Sequence, residues 1–463
     1  MTTKPTESLL EKLNARLGAG GVLRGNDITD KYASDWSGSG AQRPVAVVRP
    51  RSTDEVAFIL STCHEAGQAI VVQGGLTGLC GGGTPQPGEI ALSLERLAGI
   101  EETDSASQTM TALAGTPLET IQDAAAAAGF RFPLDLGARG SCMIGGNIST
   151  NAGGNEVIRY GMARALVLGL EAVLADGTVI SSMNKMLKNN AGFDLKHLFI
   201  GTEGTLGVVT RAVLRLFPAP LSRCTALCAL ADLSAVLQLL RHVNRRFGGG
   251  LSAFEVMWSD YVEYIIQHAK GVRLPFDARH ALYVLIEFEG SQPDADDTLF
   301  EAALDEAMSG GMVRDAVVAR SEKEMDALWK IRDGIGEVAP GLATAAHFDI
   351  SVPIAAMETM VGAVKEDLAA AFGNATQLTF GHLGDSNLHL VTTTGRAQDQ
   401  ERLYEIVYRR VGEFRGSVSA EHGIGMVKKK YLSLSRSASE IELMRKLKLL
   451  LDPKGILNPG RVI

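Results

Sequence analysis

Two short stretches concentrate the side chains suited to acid–base or metal chemistry. One is His382-Leu-Gly-Asp-Ser-Asn-Leu-His389, and the other is Glu421-His422. Imidazole nitrogen and carboxylate oxygen are the donors of catalytic metal centres that keep positions open for substrate, and Zn²⁺ suits them. Residues seven apart on one straight strand face opposite ways. His382 and His389 therefore reach one point only if the chain bends at Gly384-Asp385. Without that bend each is an ordinary hydrogen-bonding histidine, as His64 and His268 on helical patterns are read to be.

A second chemistry is written in glycine. The chain has 463 residues and 51 glycines, against roughly 32 expected at about 7% usage. Gly74, Gly75, Gly78, Gly81, Gly82 and Gly83 form one cluster. Gly137, Gly140, Gly145, Gly146, Gly153 and Gly154 form a second, and Gly201, Gly204 and Gly207 a third. Glycine lets backbone N–H groups approach a phosphate closely. The loop VQGGLTGLCGGG follows a strand pattern, as a phosphate loop should. It does not open a helix as G-x-G-x-x-G, and it lacks the Gly-Lys-Ser/Thr of a Walker loop. Tight turns and bulges are the bland alternative. Two dense loops after strands favour a pyrophosphate-containing ligand.

The elements that must position these groups follow from periodicity and caps. Ser52 to Glu55 reads as a capping box before Val56, Ile59, Leu60 and Cys63, with Gly67 as the stop. Ala69 to Val72 is a strand. Thr116-Pro117-Leu118-Glu119 repeats the cap with proline at the first helical position, and that helix ends at Gly129. Leu166 to Leu174 runs into the Ala175-Asp176-Gly177-Thr178 turn as a hairpin. Val208 to Leu216 is a strand, and Phe217-Pro218-Ala219-Pro220 breaks the pattern. From about 221 an α+β texture follows, with a strand Ala281 to Phe288 and a helix Asp294 to Ser309. Ser437 to Glu440 caps a last helix whose face is Ile441, Met444, Leu447 and Leu451. It ends at Asp452-Pro453-Lys454-Gly455, before the turn-rich Leu457-Asn458-Pro459-Gly460-Arg461.

Composition excludes several classes. A formal charge of −8 argues against nucleic acid as a partner. Cys63, Cys80, Cys142, Cys224 and Cys228 are too few and uneven for a disulfide framework, and CTALCAL reads as a buried strand. The first 21 residues lack the apolar core of a signal peptide. No apolar run is long enough for a membrane span, so a cytoplasmic protein is expected. No internal repeat appears.

The chain also carries, in order, RPRSTDEVAFIL, VQGGLTGLCGGG, PLDLGARGSCMIGGNISTNAGG, RYGMARALVLGLEAVLADGTVI, FIGTEGTLGVVT, FGHLGDSNLHL, SAEHGIGMVKKKYL and DPKGILNPGRV. Together these resemble the FAD-binding vanillyl-alcohol oxidase / p-cresol methylhydroxylase superfamily over about residues 30–463. Within it they are similar to the D-2-hydroxyacid dehydrogenases, nearest to those acting on D-2-hydroxyglutarate. The resemblance implies an α+β fold. A two-subdomain FAD-binding domain of the p-cresol methylhydroxylase type would span 1–220, and an α+β substrate or cap domain 221–420. A C-terminal helical segment, 421–463, would return to the FAD domain.

By motif match, the resemblance implies that Gln73, Gly74, Gly75, Leu76, Thr77, Gly78 and Leu79 wrap the FAD pyrophosphate. Pro133, Asp135, Gly137, Gly140, Ser141, Gly145, Gly146, Asn147, Thr150, Asn151, Ala152 and Gly153 would line the flavin and its phosphates. Glu203, Gly204, Gly207 and Val209 would lie near the adenine, with Asn458 returning to the flavin. Leu76 stands where the family often has asparagine or histidine; histidine there is the usual covalent tether, so FAD is expected to be non-covalent. Met143 replaces a common polar residue.

The same resemblance implies a divalent metal, zinc by ligand type, on His382, His389 and Glu421. It makes His422 the general base and Asn387 a polar contact to substrate or ligand. Arg332, in WKIRDGIGEV, would pair with the substrate carboxylate through its guanidinium fork; a solvated helix arginine is the alternative. The implied reaction removes the hydroxyl proton of a metal-chelated D-2-hydroxy acid through His422. Hydride then passes from C2 to flavin N5. In the resembling hydroxyglutarate enzymes a threonine and a lysine help hold the distal carboxylate. Gly336 and His347 stand there in this chain, which brings D-lactate or D-malate forward as substrates. Quinone, electron-transfer flavoprotein or oxygen would accept the electrons, and a homodimer is the family expectation. Two other readings stand beside this one. One is a metal-free, FAD-dependent 2-hydroxyacid oxidase using oxygen. The other is a nucleotide-binding module without redox chemistry.

Overall fold

The computed structural model describes residues 7–342 and 344–463. The leader reading rests partly on residues 1–6, which lie outside the described residues. The chain divides into two compact units. The first comprises residues up to Gly154, Gly161–Ala219 and Glu421–Ile463. The second comprises Asn155–Tyr160 and Pro220–Ala420, so six residues upstream of the expected boundary at 220 belong with the second unit.

In the first unit the described strands form two main sheets. One has the order Val22–Leu23, Ala46–Val48, Ile90–Ser93, Ile70–Gln73, with the last three strands parallel. Its apolar strands are buried on both faces, as parallel strands usually are. The other is antiparallel in the order Ile100–Asp104, Thr109–Leu113, Val208–Arg215, Val167–Val173, Val179–Ser182. The expected hairpin is present: Val173 pairs with Val179 across a turn in which Gly177 takes φ 91°.

The helix Thr53–Ala66 starts at Ser52, whose hydroxyl accepts the Glu55 N–H, and stops at left-handed Gly67. Its box is only half formed, because the Glu55 carboxylate accepts from Arg51 N–H instead. The second expected cap is not there. Pro117, not Thr116, precedes the helix Leu118–Ala127, and the Thr116 hydroxyl is engaged by Gly99 and Leu113. The strand Val208–Arg215 ends just before the expected break, and Phe217–Pro218 pairs with Phe130–Arg131 as a separate short strand. The helix Ala438–Leu451 carries the full capping box at Ser437 and Glu440. Its expected face, Ile441, Met444, Leu447 and Leu451, is only half-buried, and Leu450 is 74% exposed.

The second unit is built on one antiparallel sheet. Its order is Asp315–Val318, Ser222–Leu230, Leu282–Gly290, Leu251–Trp258, Thr376–His382, Asn387–Thr393, Ala346–Ser351. One face packs Phe288 against Phe247 and Phe300, from the helices Leu233–Phe247 and Pro293–Ser309. The opposite face packs Tyr283, Leu285, Met257 and Phe380 against Tyr261 of the helix Ser259–His268 and Ile331 of the helix Glu322–Asp333. Cys224 and Cys228 lie buried in the strand Ser222–Leu230, and burial pushes their thiols up to about 12. None of the five cysteines forms a disulfide. No described helix is long and apolar enough to cross a membrane.

Candidate active site

The two histidines of the first motif meet because the bend at Gly384-Asp385 is a hairpin. The strands Thr376–His382 and Asn387–Thr393 are joined by a 3₁₀ turn at Leu383–Asp385 and by left-handed Ser386 (φ 72°). Phe380 lies opposite His389. His382, two residues on from Phe380, therefore shares a sheet face with His389. The ring centroids are 5.3 Å apart, and a nitrogen of each ring lies within 4.8 Å of one on the other.

Register places further polar residues on this face. Glu255 lies opposite His382, Asp349 opposite His389, and Ser351 opposite Asn387. Arg332, from the last turn of the helix Glu322–Asp333, joins them. It is 8% exposed, so it is not a solvated helix arginine. Its Nε donates to Glu255 Oε2 at 2.8 Å, and its Nη2 lies 3.0 Å from His382 Nε2. Glu255 Oε1 lies 2.7 Å from His382 Nδ1. Burial would raise the Glu255 carboxyl, but His382 and Arg332 outweigh it and hold the group at about 2. Burial likewise opposes the charged guanidinium, and Glu255 and Asp333 overcome this and raise the arginine's pKa.

Asn387 is 3% exposed, and neither end of its amide has a hydrogen-bond partner. A buried orphaned amide costs about 1–3 kcal/mol, so it points to a ligand on this face. Gly336 lies on the short helix Ile335–Val338 with open space where a side chain would be, and His347 is exposed on the strand Ala346–Ser351. Glu255 escaped the sequence reading. Its only signal is a lone acid inside the apolar strand LSAFEVMW.

In the first unit the glycine clusters are brought together. A Cβ on Gly75 would stand 2.0 Å from Ser141 O, and one on Gly74 would approach Met143 and Gly146. The loop after the strand Ile70–Gln73 thus lies backbone to backbone on Ser141, Cys142 and the helix Ile144–Thr150. Around Gly137 and Gly146 there is open space, and the buried Asn147 Oδ1 has no partner. Leu76 takes φ 57°, a left-handed conformation that asparagine tolerates better than leucine. Gln73 does not face outward; its amide nitrogen donates to Tyr32 O and Gly83 O. Thr77 is half-buried and Leu79 exposed.

Of the second cluster, Gly140 lies beside Glu119, and Gly145 closes on Ala114. Pro133 is buried, and Asp135 pairs with Arg139 at 3.0 Å. Thr150 Oγ1 donates to Gly146 O, Asn151 Oδ1 accepts from Arg164 N–H, and Ala152 is buried. Gly154 N–H donates to Glu421 Oε1 at 2.6 Å, and a Cβ on Gly153 would collide with the same carboxylate. Glu203 is half-buried, desolvation raises its carboxyl, and that carboxylate accepts the N–H groups of Ile424 and Gly425. Gly204 lies against Asn458, Gly207 against Phe199, and Val209 is buried in its strand. Both ends of the Asn458 amide are held by backbone, at Val72 N–H and Glu203 O. His422 is half-buried beside Glu421 in the chain.

Gly75→Ala is expected to force this stack apart, because the colliding atom is backbone. The purified variant should lose most of its bound flavin, read from its visible absorption, while circular dichroism stays native.

Residues 44–182 match the FAD binding domain family, and residues 219–462 match the C-terminal domain of FAD linked oxidases. The chain is 40% identical over 452 residues to a probable mitochondrial D-2-hydroxyglutarate dehydrogenase of Oryza sativa subsp. indica, covering 96% of this chain and 80% of that one. It is 38% identical over 440 residues to a D-2-hydroxyglutarate dehydrogenase of Xanthomonas citri pv. viticola, covering 94% and 92%. Among solved structures, p-cresol methylhydroxylase with substrate bound superposes with a TM-score of 0.77 at 16% identity, over 98% of this chain and 96% of that one. That likeness establishes the fold.

Proposed function

The chain belongs to the FAD-linked oxidases, flavoprotein oxidoreductases acting on CH–OH groups, and from that premise we propose that it oxidises a D-2-hydroxy acid to the 2-oxo acid with a divalent metal. D-2-hydroxyglutarate is the first substrate in this reading, on the names of its relatives. The single observation that carries it is the polar face of the second unit's sheet. Two histidines share that face with an arginine and an orphaned asparagine amide.

His382, His389 and Glu421 are proposed as the metal's ligands, with zinc favoured by ligand type. Support comes from the hairpin that sets His382 and His389 on one face with their ring centroids 5.3 Å apart. The glycine stack, with open space at Gly137 and Gly146, supports FAD held non-covalently by the residues named above. When bound, FAD supplies the hydride acceptor and the metal supplies a Lewis acid.

The chain's own residues do the rest. Arg332 presents guanidinium N–H groups to the substrate's carboxylate. Asn387 donates and accepts through its otherwise unpartnered amide. His422 takes the hydroxyl proton, a task suited to imidazole near neutral pH. The electron acceptor, a cytoplasmic location and a homodimer remain part of this proposal. Turnover of D- and L-2-hydroxyglutarate, D-lactate and D-malate with a dye acceptor tests it. D-2-hydroxyglutarate should have the highest kcat/KM and the L-acid should be inert. Faster turnover of D-lactate would show that Gly336 and His347 have moved the enzyme to shorter acids. Turnover of the L-acid alone would defeat the reading.

A further inference from the structure

Glu255 rises from the strand Leu251–Trp258 directly opposite His382 and is 1% exposed. Both of its oxygens are engaged, Oε1 with His382 Nδ1 at 2.7 Å and Oε2 with Arg332 Nε at 2.8 Å. Arg332 Nη2 closes the ring at 3.0 Å from His382 Nε2. A guanidinium nitrogen only donates, so Nε2 must be the acceptor and Nδ1 must carry the proton. The carboxylate receives that proton's hydrogen bond. Three groups from three elements thereby fix one tautomer.

We propose that Glu255 is a positioning residue that locks His382 as the Nδ1–H tautomer, keeps its Nε2 lone pair for the metal, and holds Arg332 ready for the substrate. The inference rests on the proposed metal role of His382. One lone pair cannot serve a metal and an N–H donor together. Metal binding at Nε2 therefore frees Arg332 Nη2, while Nε stays anchored on Glu255. Substrate carboxylate takes the freed donor, so metal and anionic substrate each favour binding of the other.

Glu255→Gln keeps the shape but replaces one acceptor by a donor, which then faces either Nδ1–H or the guanidinium. Zinc affinity of the metal-free protein, measured by calorimetry, should fall about 10–100-fold, as it does when the partner of a ligating histidine is lost. FAD content should not change, and KM for the hydroxy acid should rise more than kcat falls. Glu255→Asp should recover part of the zinc affinity. In the metal-free wild type, nitrogen NMR of His382 should report the Nδ1–H tautomer. A folded, FAD-replete Glu255→Gln that binds zinc as the wild type does would overturn the inference, as would an Nε2–H tautomer. If Glu255→Gln does not fold, the wild-type tautomer and Glu255→Asp decide. A wild type that takes up no zinc overturns the metal reading itself, a result distinct from these.

Discussion

Replacing Arg332 with methionine is expected to destabilise the second unit by about 3–5 kcal/mol, because it strands a buried carboxylate without its cation. Glu255 is 1% exposed and its Oε2 has the guanidinium as its charged partner. Methionine fills a similar volume over Phe380, where the guanidinium now sits 5.5 Å from the ring centroid, so a cavity contributes little. The cost is electrostatic. The same change removes the proposed donor to the substrate carboxylate, and kcat/KM should fall on the order of 10²-fold or more. Arg332→Lys restores charge without the planar fork and should recover stability better than activity. Denaturant unfolding and steady-state kinetics of the two variants separate these contributions. Wild-type stability in Arg332→Met would mean that Glu255 is not held by this pair.

Metal removal should have the second large effect. A Lewis acid contributes several kcal/mol of charge stabilisation, so turnover should fall by about 10³-fold. His382 and Arg332 add to the loss. Without a metal, His382 Nε2 accepts from Arg332 Nη2 at 3.0 Å, so one ligand and one substrate donor are withdrawn together. Flavin should stay bound, since the residues proposed to hold it lie in the first unit. Zinc should restore activity, and His389→Ala should be inactive without being rescued.

Much of this was legible in residue types. The glycine clusters marked the loops that stack at Gly75 and Ser141, because a side chain on Gly75 would collide with the Ser141 carbonyl. The bend required between His382 and His389 exists as a hairpin, since Gly384-Asp385 and left-handed Ser386 leave no straight strand. The Ser437 cap was legible because it is local. What escaped depends on distant pairing. Thr116 looked like a cap until Gly99 and Leu113 engaged its hydroxyl. Glu255 meets Arg332 and His382 across 77 and 127 residues; strand register brings His382 opposite, and the helix Glu322–Asp333 packed on the sheet brings Arg332. The face of the last helix read as core, yet its leucines are half-buried or exposed, because periodicity shows which side is apolar and not how deeply it packs.

Reduction of the flavin by a D-2-hydroxy acid at a metal-bearing histidine pair is tested by anaerobic mixing of the purified holoenzyme with D-2-hydroxyglutarate while the flavin's visible absorption is followed. The D-acid should bleach it rapidly and the L-acid should not. After chelation the bleaching should be lost with FAD still bound, and zinc should restore it. Equally rapid bleaching by the D-acid in the chelated, metal-free protein would show that the histidine pair needs no metal for the reaction.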